Sequence, residues 1–289
     1  MTPTLQTNTS ANLAALNLAK ANSVHGKSMA KLSSGSRLVE TSDDSAGAAV
    51  YIRTGAAIRR QAATETNITN ALSLMQTQAA SLNAISKNLT RMSELTVLMQ
   101  DVTKSTDDLD NYMAEMDQLR QEMGQHFEDK FNGIDLVYYQ GTASPLTVYL
   151  DESGTQTMTL ARSDFTANSG WGILVGTTKP YAGTPGVTDT PANVIDETLW
   201  GSSSFQVLMQ DLGTMMAVNG ASQARLELSL AAVRSQKVDF EQAASRIADT
   251  DVAAETATLA RSNILLQSGA SMVSQANASA NTLLKLIQG

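Results

Sequence analysis

The sequence predicts a mainly α-helical protein. Its N- and C-terminal arms form a long antiparallel helical bundle or coiled coil, with a small β-rich central insertion. Three observations predict this. Pro3 is the only proline before Pro145, and none follows Pro191. Ten of the thirteen aromatic residues fall between Phe127 and Phe205, so helix-compatible flanks surround a turn-rich centre. Apolar residues spaced by threes and fours run along both flanks, the period of a helix face.

The clearest stripe runs from about Ala63 to Val102. It comprises Ile68, Leu72, Met75, Ala79, Leu82, Ile85, Leu89, Met92, Leu95, Met99 and Val102. Its mean step of about 3.4 is close to the 3.5 that keeps a seam facing a partner helix. A second helix is expected over about Leu109–Lys130, with DLDN as its cap-rich connector. Phe205, Leu208, Leu212, Met215, Leu226, Leu230, Val233, Phe240, Ala244 and Ile247 form a matching stripe on the C-terminal side. Rods this long cannot bury a face alone, so the two arms are expected to pack on each other.

The centre is different. LTVYL and TMTLA, joined by DESGTQ, read as a hairpin through alternation and β-branched residues. GWGILVGTTKPYAGTPG adds a strand and then a Pro/Gly loop. The expected organisation has three parts. Residues 1–41 with 247–289 form an inner helical domain, 42–140 with 200–246 an outer bundle, and 141–199 a surface-exposed β-rich domain.

Residues 1–36 and 241–289 hold no aromatic residue but are not plain polar tails. Leu13 and Leu16 recur at the front; Ile264, Leu265, Leu284 and Ile287 cluster at the back. Consecutive apolar residues on a helix point about 100° apart, so Ile264, Leu265 and Leu266 need neighbours on several sides. Two arrangements meet that need. The arms order only on assembly with other copies, or they pair into a helical subdomain within one chain.

Bulk properties exclude several classes. A net charge of −8 argues against a nucleic-acid binder and a polybasic membrane anchor. The absence of cysteine removes disulfides, thiolate catalysis and Cys-based zinc sites. No window of about 20 apolar residues predicts membrane insertion. The N-terminus lacks the charged start and apolar core of a Sec signal, so export would take another route. His126 near Asp129 is one of only two histidines, and no His-Glu-x-x-His spacing occurs. No phosphate-binding glycine motif occurs, and Gly176–Lys179 is a turn fragment. No catalytic residue, metal or cofactor is expected. The methionines at 75, 92, 99, 113 and 116 read as bundle packing. Ser and Thr between Thr142 and Ser204 are candidate O-glycosylation positions.

One polar knot, KLSSGSRLVETSDDSAG (residues 31–47), interrupts this helical pattern. Gly35 can end a helix. Thr41 or Ser42 can cap the next, with Asp43 and Asp44 favouring its positive end. Leu32, Ser33, Ser34, Gly35, Arg37 and Leu38, followed by Asp43, Asp44, Ala46 and Gly47, resemble a signature of the bacterial flagellins. SRIADTD (Ser245–Asp251), Glu255, Ile264, Leu265, Gln267, Gly269 and QAN at 275–277 resemble its C-terminal counterpart, and FNG at 131–133 matches as well. The resemblance covers roughly residues 5–140 and 205–289.

The resemblance implies a subunit that polymerises into the helical flagellar filament, an extracellular structure built for motility. Its connector residues would be Leu32, Gly35, Arg37, Asp43, Asp44, Arg246, Asp249 and Asp251, with Arg37, Arg246, Asp43 and Asp44 as candidate ion-pair partners. It also implies type III export, hook-associated junction and cap proteins as partners, and an export chaperone on the C-terminal arm. A surface for a Toll-like receptor would comprise Arg91, Glu94 and Leu95 with Glu115 and Gln118. Thr90, Ser93 and Leu119 depart from that receptor motif. The alternative is that Leu95 lies in the bundle seam while Arg91 pairs with Glu94 or Glu115. Competing functions are a hook–filament junction protein, an enzyme housed in the central insertion, and a coiled-coil signalling module.

Overall fold

The computed structural model describes residues 8–138, 145–165, 171 and 202–288, with backbone alone for 202–203 and 280–288. Five helices occur among the described residues: α1 (Thr9–Ser34), α2 (Ser45–Met99), α3 (Thr106–Phe127), α4 (Ser202–Ala248) and α5 (Val252–Gln288). Six short strands lie between α3 and α4: β1 (Lys130–Phe131), β2 (Ile134–Asp135), β3 (Val137–Tyr138), β4 (Leu146–Tyr149), β5 (Thr157–Leu160) and β6 (Ser163–Asp164). The chain divides into two compact units. One comprises Met1–Arg59 and Val238–Gly289, the other Arg60–Lys237.

In the first unit α1 and α5 pair antiparallel. The Asn8 side chain donates to the Ala276 carbonyl, and His25 Nδ1 meets Ser262 Oγ at 3.4 Å. Ala11, Ala14, Leu18, Ala21, His25, Ser28 and Leu32 are the covered positions of one face of α1. On α5 they are Glu255, Leu259, Ser262, Leu266, Gly269, Val273 and Ala276. Both sets step by threes and fours, the 3.5 period of a supercoiled pair. Small residues fill half of the seam, interleaved with Leu18, Leu32, Leu259, Leu266 and Val273.

In the second unit α2, α3 and α4 surround two apolar clusters. One gathers Leu82, Ile85, Leu89 and Met92 with Met123, Phe127, Phe205, Leu208 and Leu212. Phe127, Phe165 and Trp171 close it edge to face, with ring centroids 4.8 and 4.6 Å from Phe165, and the Trp171 indole N–H donates to Asp211 at 2.8 Å. The other gathers Ile68, Ala71, Met75, Leu226, Leu230 and Val233 beneath Met158 and Leu160 of the β4–β5 hairpin. The methionines 75, 92 and 99 are buried in this bundle as expected.

The hairpin forms as the sequence predicts, with Leu146 opposite Leu160 and Tyr149 opposite Thr157. The Asp151 carboxylate accepts from the Ser153 and Thr155 hydroxyls and the Gln156 amide, organising its loop. Strands β1 and β2 join through Asn132 and Gly133, both at positive φ. Strands β3 and β6 pair in parallel. Apart from Trp171, the strand and Pro/Gly loop expected over 170–196, and most of the candidate glycosylation segment, lie outside the described residues.

Four local expectations are corrected. Val102 does not extend the α2 seam; it lies beyond the helix and is 98 % exposed. Ala71 and Gln78, rather than Leu72 and Ala79, are the fully covered neighbours of Met75, because the seam keeps a strict heptad step through a polar residue. Helix α3 starts at Thr106, since Ser105 and Asp108 cap each other's backbone N–H in a reciprocal box. It stops at Phe127, where the chain turns into β1. Neither Thr41 nor Ser42 caps α2. Asp44 does, accepting from the Gly47 N–H at 2.8 Å.

Candidate assembly surface

The connector is built from two chain segments. Gly35 ends α1 at φ 69°, in the left-handed region where a side chain is strained. Its carbonyl accepts from Thr250 N, and Arg37 N donates to the Ala248 carbonyl, so residues 35–37 and 248–250 form a short antiparallel bridge. The Arg37 guanidinium reaches the Ile247 carbonyl at 2.9 and 3.3 Å, satisfying an orphan acceptor at the C-terminus of α4. It also lies 3.7 Å from Asp44.

Two aspartates restart the helices beyond the bridge. Asp44 caps α2, and Asp251 caps α5 by accepting from Ala253 N and Ala254 N at 2.9 and 3.1 Å. Asp43 instead pairs with Lys27 at 3.1 Å and accepts from Glu40 N. The Lys27 hydrogen bond holds the Asp43 carboxyl below its usual range and raises the Lys27 ammonium. Asp249 accepts from Ser245. Leu32 is half-buried in the α1 seam. Arg246 is exposed and joins no ion pair among the described residues, so of the two candidate arginines Arg37 alone pairs with a connector carboxylate.

The paired arms leave several bulky apolar groups outside. Leu13 is 61 % exposed, Leu16 54 %, Ile264 67 % and Leu265 50 %. Val24, Met29 and Met272 are also exposed. Leu13, Ala14, Val24, Leu265 and Met272 line a groove of about 760 Å³ along α1 and α5. The Leu284 and Ile287 side chains lie outside the described residues.

In the second unit Arg91 is clamped between Glu115 at 2.7 Å and Glu94 at 3.1 Å. Gln118 is exposed on α3. Leu95 is fully buried, as is its neighbour Thr96, so it cannot present itself to a partner; it occupies the bundle interior. His126 binds Asp129 at 3.1 Å, and no metal-binding cluster occurs among the described residues.

A helix stop, a strand of the bridge and an aspartate-capped restart occur in both chain segments, and comparison with known families agrees. The bacterial flagellin N-terminal helical region matches residues 5–140, and the bacterial flagellin C-terminal helical region matches residues 206–287. The chain belongs to the bacterial flagellin family. The Listeria monocytogenes flagellin is 29 % identical, covering 89 % of this chain and 90 % of its own. A Xenorhabdus nematophila flagellin is 28 % identical across the whole of both chains. The flagellar filament 33 kDa core protein of Treponema phagedenis is 29 % identical over 97 % of this chain and 98 % of its own. The flagellin family signature thus coincides with groups that have identifiable jobs here: Gly35 terminates, Arg37 bridges, and Asp44 and Asp251 cap.

Sequence reasoning missed the Asp44–Gly47 contact and the Arg37–Ile247 bond. The first was legible as an Asp three residues before a Gly at a helix start. The second joins residues 210 positions apart and had no local signal.

Proposed function

We propose that this protein is a structural subunit that polymerises into the helical filament of a bacterial flagellum and serves motility. The observation that carries the reading is the outward placement of Leu13, Leu16, Ile264 and Leu265 on helices that already pair with each other through their opposite faces. Such a surface is completed by copies of the same chain. A heterologous contact that does not close on itself generates a helical polymer. The flagellin relatives and the match at both chain ends favour this role over a junction protein, a signalling module or an enzyme.

The finer organisation follows. Residues 1–41 with 247–289 line the filament interior, 42–140 with 200–246 form its wall, and 141–199 face solvent. The subunit leaves the cell by the flagellar type III route. A chaperone covers the C-terminal arm before assembly, shielding Ile264, Leu265 and the apolar residues up to Ile287. Junction and cap proteins bound the filament. The exposed Arg91–Glu94–Glu115 group and Gln118 form the contact with an innate-immune Toll-like receptor, without Leu95.

Seeded assembly followed by electron microscopy tests the reading. Wild-type subunits elongate short filament fragments. Leu13→Asp and Ile264→Asp variants keep the melting temperature of the wild-type monomer and fail to elongate. Elongation of both at the wild-type rate would overturn it.

A further inference from the structure

A polar layer crosses the α2–α4 seam between its two apolar clusters, and neither the assembly role nor the family match accounts for it. Gln78 is 3 % exposed and Asn219 2 % exposed. The Asn219 amide donates to Gln78 Oε1 at 2.6 Å and to the Met75 carbonyl at 3.1 Å. The Gln78 amide donates to the Leu136 carbonyl, in the link between β2 and β3, at 2.7 Å. Gln223 closes the group by donating to Asn219 Oδ1 and to the Met75 carbonyl. The layer separates the two apolar clusters: Met75 and Leu226 lie on one side, Leu82 and Leu212 on the other.

We propose that the Gln78–Asn219 layer is a register device, fixing the axial offset of α2 against α4 and tying it to the strand segment at Leu136. The apolar heptad positions alone do not choose an offset; the Gln61 amide, which donates to Gln236 at 2.8 Å, adds one further polar contact across the seam, farther along it. A slide of one heptad brings apolar positions against apolar positions and keeps nearly all burial. The polar layer breaks that equivalence. A slide by seven residues sets Gln78 against Leu212 or Leu226 and Asn219 against Ala71 or Ile85. Both amides then sit unpaired among apolar side chains, and the Leu136 carbonyl loses its donor. An amide buried without a partner forfeits its hydration for nothing, so only the native offset satisfies the layer. Gln78 and Asn219 are positioning residues here; neither touches a ligand.

The chain has no cysteine, so a spin-label pair can be introduced without background. Lys87→Cys on α2 and Gln210→Cys on α4 are exposed positions for labels on the purified monomer. The wild-type layer gives one interlabel distance. Gln78→Leu with Asn219→Leu adds a second population at a longer distance, because a slide of one heptad, about 10 Å of helix rise, carries the two facing labels out of level, while the melting temperature stays level or rises. A single unchanged distance in that variant overturns the proposal. If the leucine pair does not fold, Gln78→Ala with Asn219→Ala decides by the same readout: two distances support the device and one overturns it. Failure of both variants to fold also overturns it, because the layer would then be a requirement of folding rather than of register. The monomer measurement is independent of filament growth, so its outcome is separate from that of the assembly test.

Discussion

The Asp44 carboxylate folds back over Gly47, accepting its N–H at 2.8 Å, and a Cβ on Gly47 would lie 2.3 Å from the other carboxylate oxygen. Cap and glycine are therefore one device at the start of α2. Asp44→Ala removes the acceptor and costs about 1 kcal/mol. Gly47→Ala pushes the carboxylate off the helix end, a loss that offsets the roughly 1 kcal/mol by which alanine exceeds glycine in helix propensity. The double variant costs no more than Asp44→Ala alone. Denaturant unfolding of the three variants checks this; additive losses would separate the two residues.

Arg37 tests the bridge between the two chain segments. Its guanidinium donates twice to the Ile247 carbonyl, and a lysine cannot reproduce that fork. Arg37→Ala is expected to cost at most about 1 kcal/mol in the exposed connector. The local effect is larger than the global one. Hydrogen exchange at the Arg37 and Thr250 amides accelerates in Arg37→Ala, and Arg37→Lys restores only part of the protection.

Acid should loosen the β4–β5 loop late. The Ser153 and Thr155 hydroxyls hold the Asp151 carboxyl at about 2, below the ordinary value of roughly 3.9. A lowered folded value means the contribution is fully present above about pH 4 and is lost as pH falls through about 2. NMR titration of the Gln156 amide, which donates to Asp151, should show a midpoint near 2, and Asp151→Asn should abolish the transition. A midpoint near 4 would contradict the hydrogen-bonded loop.

Leu95 and its exposed neighbours should separate cleanly. Leu95→Ala empties a fully buried position and costs about 2–5 kcal/mol. Glu94→Ala, on the outside of the same turn, costs under about 1 kcal/mol. A double-mutant cycle between Arg91 and Glu115 should return only the small coupling of a solvent-exposed ion pair, despite the 2.7 Å contact. Loss of receptor signalling in Leu95→Ala would then report unfolding of the seam rather than a lost contact.

Helix identity was legible because apolar spacing is a local property. Ile68, Leu82, Ile85, Leu89 and Met92 announced the α2 face, and all are buried. The LTVYL and TMTLA runs announced the hairpin for the same reason. Gln78 was not legible as a core residue, since an amide reads as surface until its partners are known. Those partners, Asn219 and the Leu136 carbonyl, come from elsewhere in the chain. Asp44 was read as a charge favouring the helix end, but its capping depended on the space above Gly47.

The sequence by itself determined the helical flanks, the strand pair at 146–160, the acidic cysteine-free surface and the family signature at both ends. These follow from periodicity, turn chemistry and composition, each encoded within a few neighbouring residues. Tertiary structure alone decided which apolar residues stay outside. Leu18 and Leu266 lie in the α1–α5 seam while Leu13, Ile264 and Leu265 face out. Hydrophobicity is the same in both sets. Only the antiparallel pairing of two distant arms fixes which side of each rod is covered, and so which side remains for another molecule.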